Sequence, residues 1–123
     1  MFFNRITLVG RVTDDPKIKE ITFNDNNDSG FVSEITLAVP RFKKNVNGDV
    51  ETDFFSVNLY NTKAKQAADF LKKGSLCLVE GAMKIDVVSK NDNKFQYPVI
   101  TANEFRVLEP KQKIKTKTKV KVA

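Results

Sequence analysis

A chain of 123 residues, 41% of them hydrophobic, is long enough to bury one core without a structural metal, and its single cysteine excludes an internal disulfide. It has no histidine, no apolar run of 18 residues and no signal-peptide pattern in MFFNRITLVG, so Cys77 lacks an activating base, zinc lacks ligands, and neither a membrane span nor export is expected. The net charge of +6 is unevenly placed: residues 1–109 hold 15 Lys and Arg against all 15 Asp and Glu, and the other six lysines fall within residues 110–123.

NRITLVGRV, residues 4–12, alternates Ile6 and Leu8 against Arg5, Thr7 and Arg11 and reads as a strand, with Gly10 as a bulge or bend. A polar turn at TDDP, a short run IKEITF and a loop NDNNDSG follow. FVSEITLAVPRF, residues 31–42, sets Ile35, Leu37 and Val39 on one face and ends with Phe42 on the other. Asn47-Gly48 supplies the positive-φ pair of a hairpin turn, so an arm over residues 41–53 should project before the chain returns as TDFFSVNLYN.

That third strand has two faces. Phe55, Val57 and Leu59 form an ordinary core stripe, whereas Phe54, Ser56, Asn58 and Tyr60 put a ring at each end of a face that should meet water. In TKAKQAADFLKKG the period changes to that of a helix, with Thr62 as N-cap, lysines in the last turn and Gly74 as C-cap. SLCLVEGAMKIDVVSK and KFQYPVITANEFRVLE add two strands around the turn NDN. The order predicts an all-β fold, a five-stranded OB barrel with one short helix between the third and fourth strands; an α+β sandwich shares the same element count.

NRITLVGRVTDDP, ITLAVPRF, TDFFSVNLYN and ADFLKKGSLCLVEG, in this order and spacing over about residues 3–109, resemble blocks of the bacterial-type single-stranded DNA-binding proteins. The resemblance implies that Phe42, Phe54 and Tyr60 stand where that family stacks rings on bases. Stacking contributes ~1–3 kcal/mol per base whatever the sequence, because every base has a π-face. Burial of Phe54 and Tyr60 in a subunit interface or under the arm is the other reading of the same pattern. The family's further stacking position falls near Val88, which has no ring, so Phe95 or Tyr97 on the following strand is the candidate substitute. Asp86 and Asp92 nearby should repel phosphate.

Cations that could follow a phosphate backbone are Arg5 and Arg11 on the first strand, Arg41, Lys43 and Lys44 beside Phe42, Lys72 and Lys73 after the helix, and Lys84 in the fourth strand. Residues 1–109 are thus expected to form the DNA-binding domain and residues 110–123 a lysine-rich tail. In the tail, Lys111 to Lys121 alternate with Gln112, Ile114, Thr116, Thr118, Val120 and Val122, a pattern that suits pairing with a sheet edge, lying along phosphates, or a disordered basic tail. Bacterial members usually end in an acidic tip that recruits replication and repair proteins. KQKIKTKTKVKVA is the opposite in charge, so recruitment by such a tip is not expected, and a phage or plasmid version is suggested.

DNNDSG imitates the start of a calcium loop with Asp25, Asn27, Ser29 and Gly30, but Thr36 stands where a bidentate glutamate belongs. The five glycines form no phosphate-cradling loop, and no convergent set of catalytic residues is evident, so no cofactor, metal or enzymatic activity is expected. The resemblance implies sequence-independent binding and protection of single-stranded DNA in replication, recombination and repair. It also implies a homo-oligomer, tetramer or dimer, with the first strand contributing to pairing, in the cytosol of a bacterium or of a phage host. An RNA-binding or primosome-like assembly protein, its rings making protein contacts, is the alternative.

Overall fold

The computed structural model describes residues 1–22 and 29–109. Six strands and one helix follow in the order β1 (Ile6–Val12), β2 (Lys17–Thr22), β3 (Ser29–Lys44), β4 (Val50–Tyr60), α1 (Thr62–Phe70), β5 (Leu76–Lys90) and β6 (Asn93–Val107). The sheet order β1-β5-β6-β4-β3-β2 closes on itself because β1 also pairs with β3, through Arg11 with Ala38 and Val12 with Leu37. The ring is otherwise antiparallel except where β4 meets β6 in parallel, at Val57 with Ile100 and Asn58 with Thr101. This is the OB barrel that the sequence predicted.

Closure depends on two close backbone approaches. A Cβ on Gly10 would lie 2.6 Å from the Ala38 carbonyl oxygen, so only glycine lets β1 leave β5 and reach β3. A Cβ on Gly81 would collide with the Thr101 carbonyl oxygen, at the point where the β5–β6 register shifts between Glu80 and Gly81. The interior is filled by the apolar faces, with Ile35, Leu37, Val57, Leu59 and Val79 all at most 2% exposed. Helix α1 packs against β3 and β4 through Ala64 and Ala67, both fully buried. Cys77 belongs to this core, and burial pushes its thiol up to about 11.

Several local expectations are corrected. The short run IKEITF, residues 18–23, falls mostly within a sixth strand, Lys17–Thr22, paired with β3 from Lys17–Glu34 to Thr22–Ser29. Its pairing is set by backbone groups of β3 rather than by a clean alternation of its own. Asn47 does not share Gly48's positive φ; the β3–β4 turn is instead held by the Asn45 side-chain oxygen, which accepts from the Asn47 and Asp49 amides at 2.9 and 3.0 Å. The left-handed pair is Asn91-Asp92, in the two-residue turn between β5 and β6.

At the helix, Asn61 rather than Thr62 is the N-cap residue, and its side-chain oxygen accepts from the Phe31 amide instead of capping. The helix ends at Phe70 because Leu71 turns extended to enter the core, so Lys72 and Lys73 lie beyond the last turn and Gly74 is not the C-cap. Gly74 (φ +92) instead serves a turn closed by the Ser75 amide on the Lys72 carbonyl at 2.9 Å. The loop reading of residues 24–30 lies outside the described residues up to 28, and the tail reading of 110–123 lies wholly outside them.

Candidate nucleic-acid interface

The register of β3 with β4 builds the outer face of the barrel. Leu37 with Phe55, Ile35 with Val57 and Ser33 with Leu59 point inward, so Ala38 with Phe54, Thr36 with Ser56, Glu34 with Asn58 and Val32 with Tyr60 point outward. Phe54 is 66% exposed and Tyr60 half-buried, two rings separated by a short polar floor. Beside them the β5–β6 ribbon pairs Lys84 with Val99, Asp86 with Tyr97 and Val88 with Phe95, all on one face by alternation. Ser56, Asn58, Tyr60, Lys84, Asp86 and Tyr97 line one open groove, so Tyr97 is carried across the barrel to the same trough as Tyr60. Phe95, 53% exposed, sits directly opposite Val88, which places a ring one pair from Tyr97 where the ring was missing on β5.

The β3–β4 arm holds Phe42 wholly exposed, sharing a shallow recess with Arg41, Lys43 and Lys44. Arg41 clamps the two strands of the arm, its Nη2 and Nε donating to the Asp53 carboxylate at 2.9 and 3.0 Å and its Nη1 to Glu51 at 3.0 Å. The hydrogen bond from Arg41 holds the Asp53 carboxyl below its ordinary range.

The candidate cations divide into two groups. Arg5 is paired with Glu80, Arg11 with Glu109 at 2.8 Å, Arg41 with Asp53 and Glu51, and Lys84 with Asp86 at 3.4 Å. Lys43, Lys44, Lys72 and Lys73 make no ion pair among the described residues. A partnered cation must surrender or share its carboxylate to meet a phosphate; since these pairs are exposed and therefore weak, they lower the gain without forbidding the contact. Lys73 is further positioned by Asp15, whose carboxylate accepts from the Lys73 amide at 2.8 Å.

Sequence reading passed over Glu34 and Thr36, which continue the polar floor from β3. The signal was available: they alternate with Ile35 and Leu37, the core residues that drew attention to the strand. Among the described residues no group of three or more His, Cys, Asp or Glu is placed to hold a metal ion, and no helix is long and apolar enough to cross a membrane.

A closed barrel with exposed rings over a polar floor, and with lysines at its arm that make no ion pair among the described residues, belongs to the class of oligonucleotide-binding barrels. Residues 3–108 match the model of the single-strand binding protein family, and the chain belongs to that family. It is 34% identical over 110 residues to single-stranded DNA-binding protein 1 of Clostridium acetobutylicum, covering 89% of this chain and 96% of that one. It is 39% identical over 111 residues to single-stranded DNA-binding protein 3 of Listeria innocua, and 35% identical over 109 residues to single-stranded DNA-binding protein A of Bacillus subtilis. Those alignments take in 89% and 88% of this chain but only 66% and 60% of the two relatives.

Proposed function

We propose that this protein binds and protects single-stranded DNA without strict sequence requirement during replication and recombination, and performs no chemistry on it. The observation that carries this reading is the row of outward rings, Phe54 and Tyr60 on β4 with Tyr97 across the same groove, on a chain of this family. Bases stack on these rings and on Phe42, while Lys43, Lys44, Lys72 and Lys73 take phosphates; Arg5, Arg11, Arg41 and Lys84 join only by loosening their carboxylate partners. Exposed Phe2 and Phe3 ahead of β1 support assembly into a dimer or tetramer through the first strand. The cytosol, where single-stranded intermediates arise, is the proposed compartment.

Fluorescence anisotropy of a dye-labelled oligo-dT, at low and moderate salt with duplex DNA and oligo-U as competitors, tests the reading. Binding that survives moderate salt and resists duplex is the expected result, since stacking is not screened. Binding that vanishes with salt, or that duplex competes equally, would leave only a charge effect. Equal competition by oligo-U would turn the assignment toward RNA.

A further inference from the structure

We propose that the Glu34 carboxylate reads base edges on the floor of the groove, favouring bases with an exocyclic amino group over thymine. This rests on the groove being the single-stranded DNA path described above. Its first support is position. Two troughs cross the outer face, one running toward Asp14, Asp15 and Lys17 and one toward Tyr97 and Asp86, and Glu34 and Asn58 are the residues lining both. A strand following the face from one trough to the other passes over this pair.

The second support is that Glu34 is exposed and makes no hydrogen bond or ion pair among the described residues. Glu51, Asp53, Glu80, Asp86, Glu104 and Glu109 each have a cationic partner. Lys17 stands opposite Glu34 in the β2–β3 register, but no ion pair joins the two among the described residues; a carboxylate on the floor of a path for a polyanion turns the phosphates toward the rim and the bases toward the floor.

The third support is donor and acceptor chemistry. An ionised carboxylate only accepts, and a hydrogen bond to it is stronger than a neutral one. Cytosine offers N4–H2 and adenine N6–H2, whereas thymine turns O4 toward the same place, an acceptor against an acceptor. Asn58, in register with Glu34, supplies both a donor and an acceptor for the adjacent ring positions. With Tyr60 in the same groove holding a base by its face, the edge of that base is what Glu34 can meet.

The test uses the full chain and dye-labelled oligo-dC and oligo-dT of equal length, comparing the parent with Glu34→Gln and with Asp14→Asn. The glutamine variant should shift relative affinity toward oligo-dT by about five- to tenfold, in line with one lost base-edge contact. Asp14→Asn removes the same charge from the far trough and should leave the ratio where it was. Equal strengthening of both oligonucleotides by Glu34→Gln would show that the carboxylate only repels phosphate, overturning the inference while leaving single-stranded DNA binding intact. The same shift from Asp14→Asn would also overturn it. A parent that binds neither oligonucleotide would overturn the groove assignment and this inference with it. Because Glu34 is exposed and makes no hydrogen bond or ion pair among the described residues, the variant should melt close to the parent.

Discussion

The β3–β4 arm and the β5–β6 arm both carry exposed rings, yet they hold them in different ways. In the first, an arginine clamp ties the strands at Asp53 and Glu51 and an asparagine side chain shapes the turn, but Phe42 itself is wholly exposed at the edge of a shallow recess. In the second, a two-residue turn keeps Lys84–Lys90 in unbroken register with Asn93–Val99, and Tyr97 lies in a groove already shared with Tyr60. A ring that the fold has already positioned loses less freedom when a base stacks on it than a ring the ligand must order. The fixed arm should therefore contribute more stacking and the open arm more charge, since Lys43 and Lys44 beside Phe42 make no ion pair among the described residues.

Tyr97→Ala is the strongest way to break this comparison. It should weaken oligonucleotide binding by ~1–3 kcal/mol, or about 5- to 150-fold, in the anisotropy titration. Phe42→Ala should fall at or below the lower end of that range; equal losses from the two rings would refute the difference drawn between the arms. Replacing Lys43 and Lys44 together by glutamine should flatten the plot of log affinity against log salt by about 1.4, at ~0.7 per phosphate, whereas Arg41→Gln should change that slope less because its charge already serves Asp53 and Glu51.

The smallest effect expected is on stability in acid. Because Arg41 lowers the folded-state pKa of Asp53, the pair stabilises the fold above the unfolded carboxylate range, and that contribution is lost as pH falls through the lowered value. Thermal melts of the parent and Arg41→Gln should differ slightly at pH 7 and converge in strong acid. A gap that widens with acid would reverse the sign and remove the clamp from the account.

The alternation of Phe55, Val57 and Leu59 with Phe54, Ser56, Asn58 and Tyr60 was enough to place β4 and its two faces, because strand periodicity is a local property. Gly10 was read as a bulge or bend, but its register with Cys77 is unbroken and what demands glycine there is the Ala38 carbonyl on β3. Gly81 was not legible either, since its need arises from Thr101, twenty residues away across the β5–β6 ladder. The turns show the same limit: Asn47-Gly48 has the composition of a left-handed pair, but the Asn45 side chain sets another geometry there and the pair forms at Asn91-Asp92. Arg5 and Arg11 looked free in sequence because their carboxylate partners, 75 and 98 residues away, come beside them only when β1 pairs with β5. Glu34 was overlooked for a different reason: an apolar stripe draws the eye to the core and leaves the opposite positions of the strand unread.

The central claim is that the outward rings of β4 hold the nucleic acid rather than the assembly. Phe54→Ala with Tyr60→Ala tests it most directly, with oligo-dT affinity, sedimentation and thermal melting measured on the same preparations. The account predicts affinity lower by ~2–6 kcal/mol for two stacking platforms, with the oligomer and the melting temperature close to the parent's. A broken oligomer with affinity per folded subunit unchanged would contradict it and assign the rings to a protein interface.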